Sequence, residues 1–184
     1  MNYTPDSLRK KLAQRLNEND MHEIAYYTQG IEDTTDKQLL YNLLFDEDRQ
    51  VSNNAAWVFT HFDLHSNTWL YSKHDELINE AMHTHDNTQR RLLLTLLLRQ
   101  PFTPSNLRSE FLDFCLKRMY LTSEPTAIKV LCMKLAYEQC KFYSELLSEF
   151  REALEIMEPD LLPAALKTAR KNILKTIKTD KPRS

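Results

Sequence analysis

Apolar residues along this chain keep a helical spacing and repeat it at a longer period. Leu39, Leu40, Leu43 and Leu44 fall on one face of a helix, because side chains three or four residues apart stack above one another. The same set returns 38 residues on as Leu77, Ile78, Ala81 and Met82, then as Cys115, Leu116, Met119 and Tyr120. It returns once more as Ala153, Leu154 and Met157, with Glu158 breaking the pattern. A second face follows each set: Ala55, Ala56 and Phe59; Leu93, Leu94 and Leu97; Leu131, Cys132 and Leu135; then Ala169 and Ile173, with Arg170 as the exception. Between the two faces stands an acid, Asp48, Asp86 or Glu124, with Leu162 at the fourth place. Acids there suit a helix start, where free N–H groups and the positive end of the dipole meet.

Each unit is therefore predicted to be two amphipathic helices joined by a turn. First helices are expected at about 36–46, 68–86, 105–121 and 143–158, and second helices at about 49–62, 88–100, 125–140 and 163–178. Residues 5–17 and 20–31 read as a further helix pair outside the register. Terminal repeats are often irregular because they cap a stack. The organisation expected is a single domain over 1–184, with an irregular cap pair at 1–34, four repeats of about 38 residues at 35–178 and a flexible tail at 179–184. A helix pair with two apolar faces cannot cover both alone. Stacked pairs can, so the fold class predicted is an all-α solenoid.

The second-helix pattern of Asp48, Val51, Ala55, Ala56 and Phe59, and its variant "EPTAIKVLCMKL" at 124–135, resembles HEAT and armadillo-type repeats. The resemblance covers roughly residues 36–177. It implies a right-handed α-α superhelix of four to five hairpins whose second helices line a concave surface. It also implies a scaffold that binds other proteins. DNA glycosylases of the alkylpurine type share this kind of fold, so a nucleic-acid-binding repeat protein is the alternative expectation.

Composition sharpens the picture at three points. The chain of 184 residues has one glycine, Gly30. Hairpins and phosphate-cradling loops need glycine for positive-φ backbone, so a sheet fold, a P-loop and a dinucleotide fingerprint are all disfavoured. No nucleophile elbow is present either, and no enzymatic activity or cofactor is expected. Three cysteines, Cys115, Cys132 and Cys140, have no metal-type spacing and two of them alternate with Leu and Ala at repeat positions, which predicts small core residues. With no apolar leader at the start and no bilayer-length apolar run, a cytoplasmic protein without membrane contact is expected.

The net charge of −2 hides a segregation. The expected second helices hold 11 basic residues and one acid, while the first helices hold 13 acids and 6 bases. A basic concave strip would attract a partner of acidic character, or a nucleic-acid backbone. Opposite charges on neighbouring helices could equally pair with one another. Asn53, Asn54, Trp57, Arg90, Lys134 and Lys171 are the candidate partner contacts, with Trp57 as the aromatic anchor. A weaker alternative is metal-dependent activity at His61, His65, His83 and His85, of which the first two stand four apart.

Overall fold

The structure, a computed structural model, describes residues 3–30 and 34–179. Among these residues every regular element is helical. The chain divides into two compact units, Met1–Gln100 and Pro101–Ser184.

In the first unit, α1 (Pro5–Leu12) and α2 (Glu18–Thr28) form the N-terminal pair. α3 (Thr35–Asn42), tightened at its end into a 3-10 turn at Leu43–Phe45, pairs with α4 (Arg49–Thr60). A third pair begins with a short helix, α5 (Leu64–Asn67), and a 3-10 stretch at Thr68–Lys73, continues as α6 (His74–His83) and closes with α7 (Asn87–Leu98). The expected first helix at 68–86 is thus broken at its start. Trp69 in the 3-10 stretch packs edge-on against Tyr41 at 5.6 Å. The second helices α2, α4 and α7 pack side by side, and α6 packs on α7.

The second unit holds α8 (Ser109–Tyr120), α9 (Thr126–Cys140), α10 (Ser144–Ile156) and α11 (Ala164–Thr179). α8 packs on α9, α9 on α11, and α10 on both α9 and α11. Helix α11 runs through Thr179, the first residue of the expected flexible tail; the rest of that tail, 180–184, lies outside the described residues.

The repeat register matches the core. Leu40, Leu44, Ala55, Ala56, Phe59, Leu77, Ile78, Ala81, Leu93, Leu94, Leu97, Cys115, Cys132, Leu135, Leu154, Ala169 and Ile173 are all buried. All three cysteines are buried free thiols. Burial drives the Cys115 thiol well above its ordinary value, helped by its hydrogen bond with Cys132. Burial likewise pushes Cys140 up to about 11.

Helix starts follow the sequence at two of three acids. The Asp48 carboxylate accepts from the Gln50 N–H at 2.8 Å, and that of Asp86 from the Thr88 N–H at 2.7 Å. Glu124 behaves differently. Pro125 holds the cap position of α9, and the buried Glu124 side chain turns back to the Arg118 guanidinium of α8. An apolar pocket would strand a lone carboxylate, so the arginine takes precedence over the helix end.

Helix ends are closed in a less usual way. A left-handed glycine commonly satisfies the last carbonyls of a helix. Among the described residues no backbone position has positive φ. Side chains from second helices take over that task. Asn54 of α4 donates to the Leu12 and Gln14 carbonyls at 2.8 and 3.0 Å, closing α1. Gln89 of α7 donates to the Leu44 carbonyl at 2.9 Å. Arg90 donates to Ala81 O at 3.1 Å and to Thr84 O, at the end of α6. Arg99 donates to Thr60 O and Phe62 O at 2.7 and 2.6 Å, closing α4. In the second unit Arg170 donates to Leu154 O at 2.6 Å and Glu155 O at 3.3 Å, closing α10. Carbonyls at a helix C-terminus carry partial negative charge, so guanidinium groups suit them twice over.

Candidate interaction face

The second helices of the first unit carry a stripe of aromatic and polar side chains. Asn53 and Trp57 on α4 and His61 at its C-terminal cap follow one another at four-residue spacing. The His61 ring meets Trp57 edge-on at 5.9 Å and His22 of the adjacent α2 edge-on at 5.3 Å. His61 Nδ1–H donates to the Trp57 carbonyl at 3.0 Å, which fixes the ring over the end of α4. One turn beyond His22, Tyr26 is 71% exposed, and its ring meets Tyr27 at 5.4 Å. His61 is exposed and Trp57 half-buried. Tyr26 and Tyr27 stand out in the sequence as aromatics of the terminal pair; His22 is the member that sequence reasoning passed over, its signal being the four-residue spacing to Tyr26 on the neighbouring second helix.

The other candidates are placed unevenly. Asn53 is half-buried and its amide donates to the Asp86 carboxylate at 2.9 Å. Burial would raise the Asp86 carboxyl, but hydrogen bonds from Arg49, Asn53 and the Thr88 and Gln89 amides outweigh it and hold the group below its ordinary value. Asn54 is buried, 6% exposed, and occupied with the end of α1. Arg90 is 4% exposed and occupied with the end of α6. Neither side chain offers its polar group to solvent, so both leave the basic strip. Burial also lowers Arg99 from its ordinary value, in keeping with its place beneath the surface. The exposed cation of α7 is Arg91, one residue from Arg90 and turned about 100° round the helix from it.

In the second unit Lys134 of α9 and Lys171 of α11 are both exposed, as are Lys175 and Lys178. Lys167 pairs with Asp160 at 3.1 Å. The 11 basic residues of the second helices therefore divide. Arg49, Arg90, Arg99, Lys167 and Arg170 hold neighbouring groups in the fold, Lys129 is half-buried, and Arg91, Lys134, Lys171, Lys175 and Lys178 face solvent.

The four histidines do not converge. His61 lies against Trp57 and His22. His83 Nδ1–H donates to the Asn79 carbonyl at 2.7 Å within α6. His65 and His85 are exposed. Among the described residues no group of three or more His, Cys, Asp or Glu side chains is placed to hold one ion.

Comparison with known proteins agrees with this geometry. The HEAT repeat domain family matches the chain over residues 8–177. The chain belongs to the HEAT repeat family, an α-solenoid class whose members generally serve as non-enzymatic protein-interaction scaffolds. The chain is also similar to the crystal structure of an engineered protein, a target of the Northeast Structural Genomics Consortium. That match has a TM-score of 0.64 at 12% identity and covers 95% of this chain and 79% of that one. A likeness at that identity speaks for the fold alone. None of the curated proteins matches the chain. Among the described residues no helix is long and apolar enough to cross a membrane.

Proposed function

We propose that this chain is a non-catalytic protein-interaction module whose second helices form the docking surfaces. In the first unit the contact residues are Trp57, His61, His22 and Tyr26, flanked by Asn53 and Arg91. In the second unit they are Lys134 and Lys171. The observation that carries the reading is the aromatic stripe on packed second helices, its rings held by neighbouring rings and by the helix end. Such an anchor loses little conformational freedom on binding. The exposed cations Arg91 on α7, Lys134 on α9 and Lys171 on α11 favour a protein partner of acidic character. Buried free thiols support a reducing compartment, and we infer the cytoplasm.

The exposed lysines of α9 and α11 also support a second reading, contact with a nucleic-acid backbone. One experiment separates the two. Full-length wild type, Trp57→Ala and Lys134→Glu/Lys171→Glu are each used to capture protein from lysate of the source organism and to titrate a random DNA duplex at low and moderate salt. The interaction-module reading expects one specific protein captured by wild type, lost with Trp57→Ala, and no salt-sensitive duplex binding. Duplex binding that falls steeply with salt and vanishes in the lysine variant establishes the nucleic-acid reading instead.

A further inference from the structure

A second surface of the first unit has the opposite character. Two adjoining hollows, of about 280 and 510 Å³, lie where the turn before α4 meets α6, and both are lined by Phe45 and Glu80. Phe45 is 42% exposed although it packs edge-on against Tyr41 at 5.4 Å. Glu76, Asn79, Glu80 and His83, at helical spacing on α6, line the larger hollow with it. Asp46, Glu47 and Asp86 add carboxylates to the smaller one, and Arg49 adds a guanidinium.

These carboxylates are not equivalent. Asp46 pairs with Arg9 at 2.8 Å, Asp86 pairs with Arg49, and Glu76 accepts from Tyr41 Oη at 2.9 Å and from Lys73 at 3.3 Å. Among the described residues Glu47 and Glu80 form no ion pair, although Glu47 lies in the field of the Arg9 guanidinium. The groove therefore joins an exposed aromatic floor to two unpaired negative charges, one on each side of it.

We infer that this groove docks a basic segment of another protein, one large apolar side chain seated against Phe45 and flanking lysine or arginine residues facing Glu47 and Glu80. Charge complementarity selects this occupant: the groove repels a phosphate backbone or an acidic segment, and its open hollows leave the Phe45 ring accessible to an apolar side chain. The surface is built from the turn before α4, from α6 and from the first turns of α4 and α7, and it shares no residue with the aromatic stripe of α2 and α4. It therefore stands or falls independently of the function proposed above.

The test uses a fluorescein-labelled Lys-Arg-Leu-Lys-Arg peptide, titrated against the full-length protein by fluorescence anisotropy at low salt. Wild type is expected to bind it saturably. Replacing the peptide's leucine by serine, or Phe45→Ser in the protein, is expected to weaken binding by about tenfold or more through loss of the apolar contact. Glu47→Lys/Glu80→Lys keeps Phe45 and is expected to abolish binding, and it decides the matter should Phe45→Ser fail to fold. Trp57→Ala is expected to bind the peptide as wild type does. The inference is overturned by absence of saturable binding to wild type, by equal binding of the leucine and serine peptides, by equal binding of wild type and the glutamate variant, or by binding that depends on Trp57.

Discussion

Arg90 and Arg91 are adjacent in sequence, identical in charge and opposite in setting, so replacing each by methionine isolates what burial does to an arginine. The Arg90 guanidinium is 4% exposed and donates to Ala81 O at 3.1 Å, to Thr84 O and to Asn87 Oδ1 at 3.2 Å. A hydrogen bond from a charged donor contributes about 1.5–3 kcal/mol, and a buried carbonyl left without a donor costs about 1–3 kcal/mol. Methionine keeps most of the apolar stem and so limits any cavity. Arg90→Met is therefore expected to cost about 2–4 kcal/mol, with the end of α6 losing its closure. Arg91 is exposed, and Arg91→Met is expected to stay within about 0.5 kcal/mol of wild type. Urea denaturation followed by circular dichroism reads the difference. With a slope of roughly 2 kcal/mol per molar urea, the Arg90 midpoint should fall by about 1–2 M while the Arg91 midpoint hardly moves. Added salt should not rescue Arg90→Met, because buried groups are little screened. Equal midpoints for the two variants would refute the claim that the buried Arg90 closes the end of α6.

Further tests address the other polar anchors. Arg118→Ala leaves the Glu124 carboxylate, whose side chain is 2% exposed, without its cation. It should cost about 3 kcal/mol, most of it recovered in Arg118→Ala/Glu124→Leu; a destabilised double variant in urea would contradict this. Asp86 has its folded carboxyl held below the ordinary value, so its contribution is complete above the unfolded carboxylate range and is lost as pH falls through the folded value. Wild type should accordingly lose stability more steeply than Asp86→Asn as pH is lowered from about 5 towards 2, and parallel curves would argue against the Arg49–Asn53–Asp86 cluster. With Cys115 driven up and Cys140 at about 11, both thiols should resist an aromatic disulfide reagent at neutral pH until the protein is unfolded. Rapid labelling of the native chain would show the thiol-bearing faces of α8 and α9 to be open.

Much of the fold was legible in the 38-residue register. Positions seven, eight and eleven residues past Asp48, Asp86 and Glu124 repeat the same choice among small and aliphatic groups, and all but Leu131 of these are buried. Burial of Arg90 was not read from the sequence, which placed it on the exposed basic strip. The position four past each anchor holds Ser52, Arg90, Ile128 and Leu166, all buried, so register outweighs charge there. Counting cations along each second helix treated Arg90 and Arg91 alike, because net charge carries no direction. Glu124 misled for a related reason: the residue before a helix looks like a cap until the arginine on α8 is seen beside it. The Phe45 groove could not be read at all. Its two sides are brought together only by the packing of a turn against a helix some 35 residues on.

The stripe on α2 and α4 is the centre of the functional account, and site-specific cross-linking tests it most directly. Trp57 is replaced by photoreactive benzoylphenylalanine in one variant, and exposed Asp113 on α8 in another. Each full-length variant is irradiated in cells of the source organism. A discrete protein adduct from position 57 and none from position 113 is the predicted result. Adducts to nucleic acid at position 57, or protein adducts from position 113 alone, would contradict it.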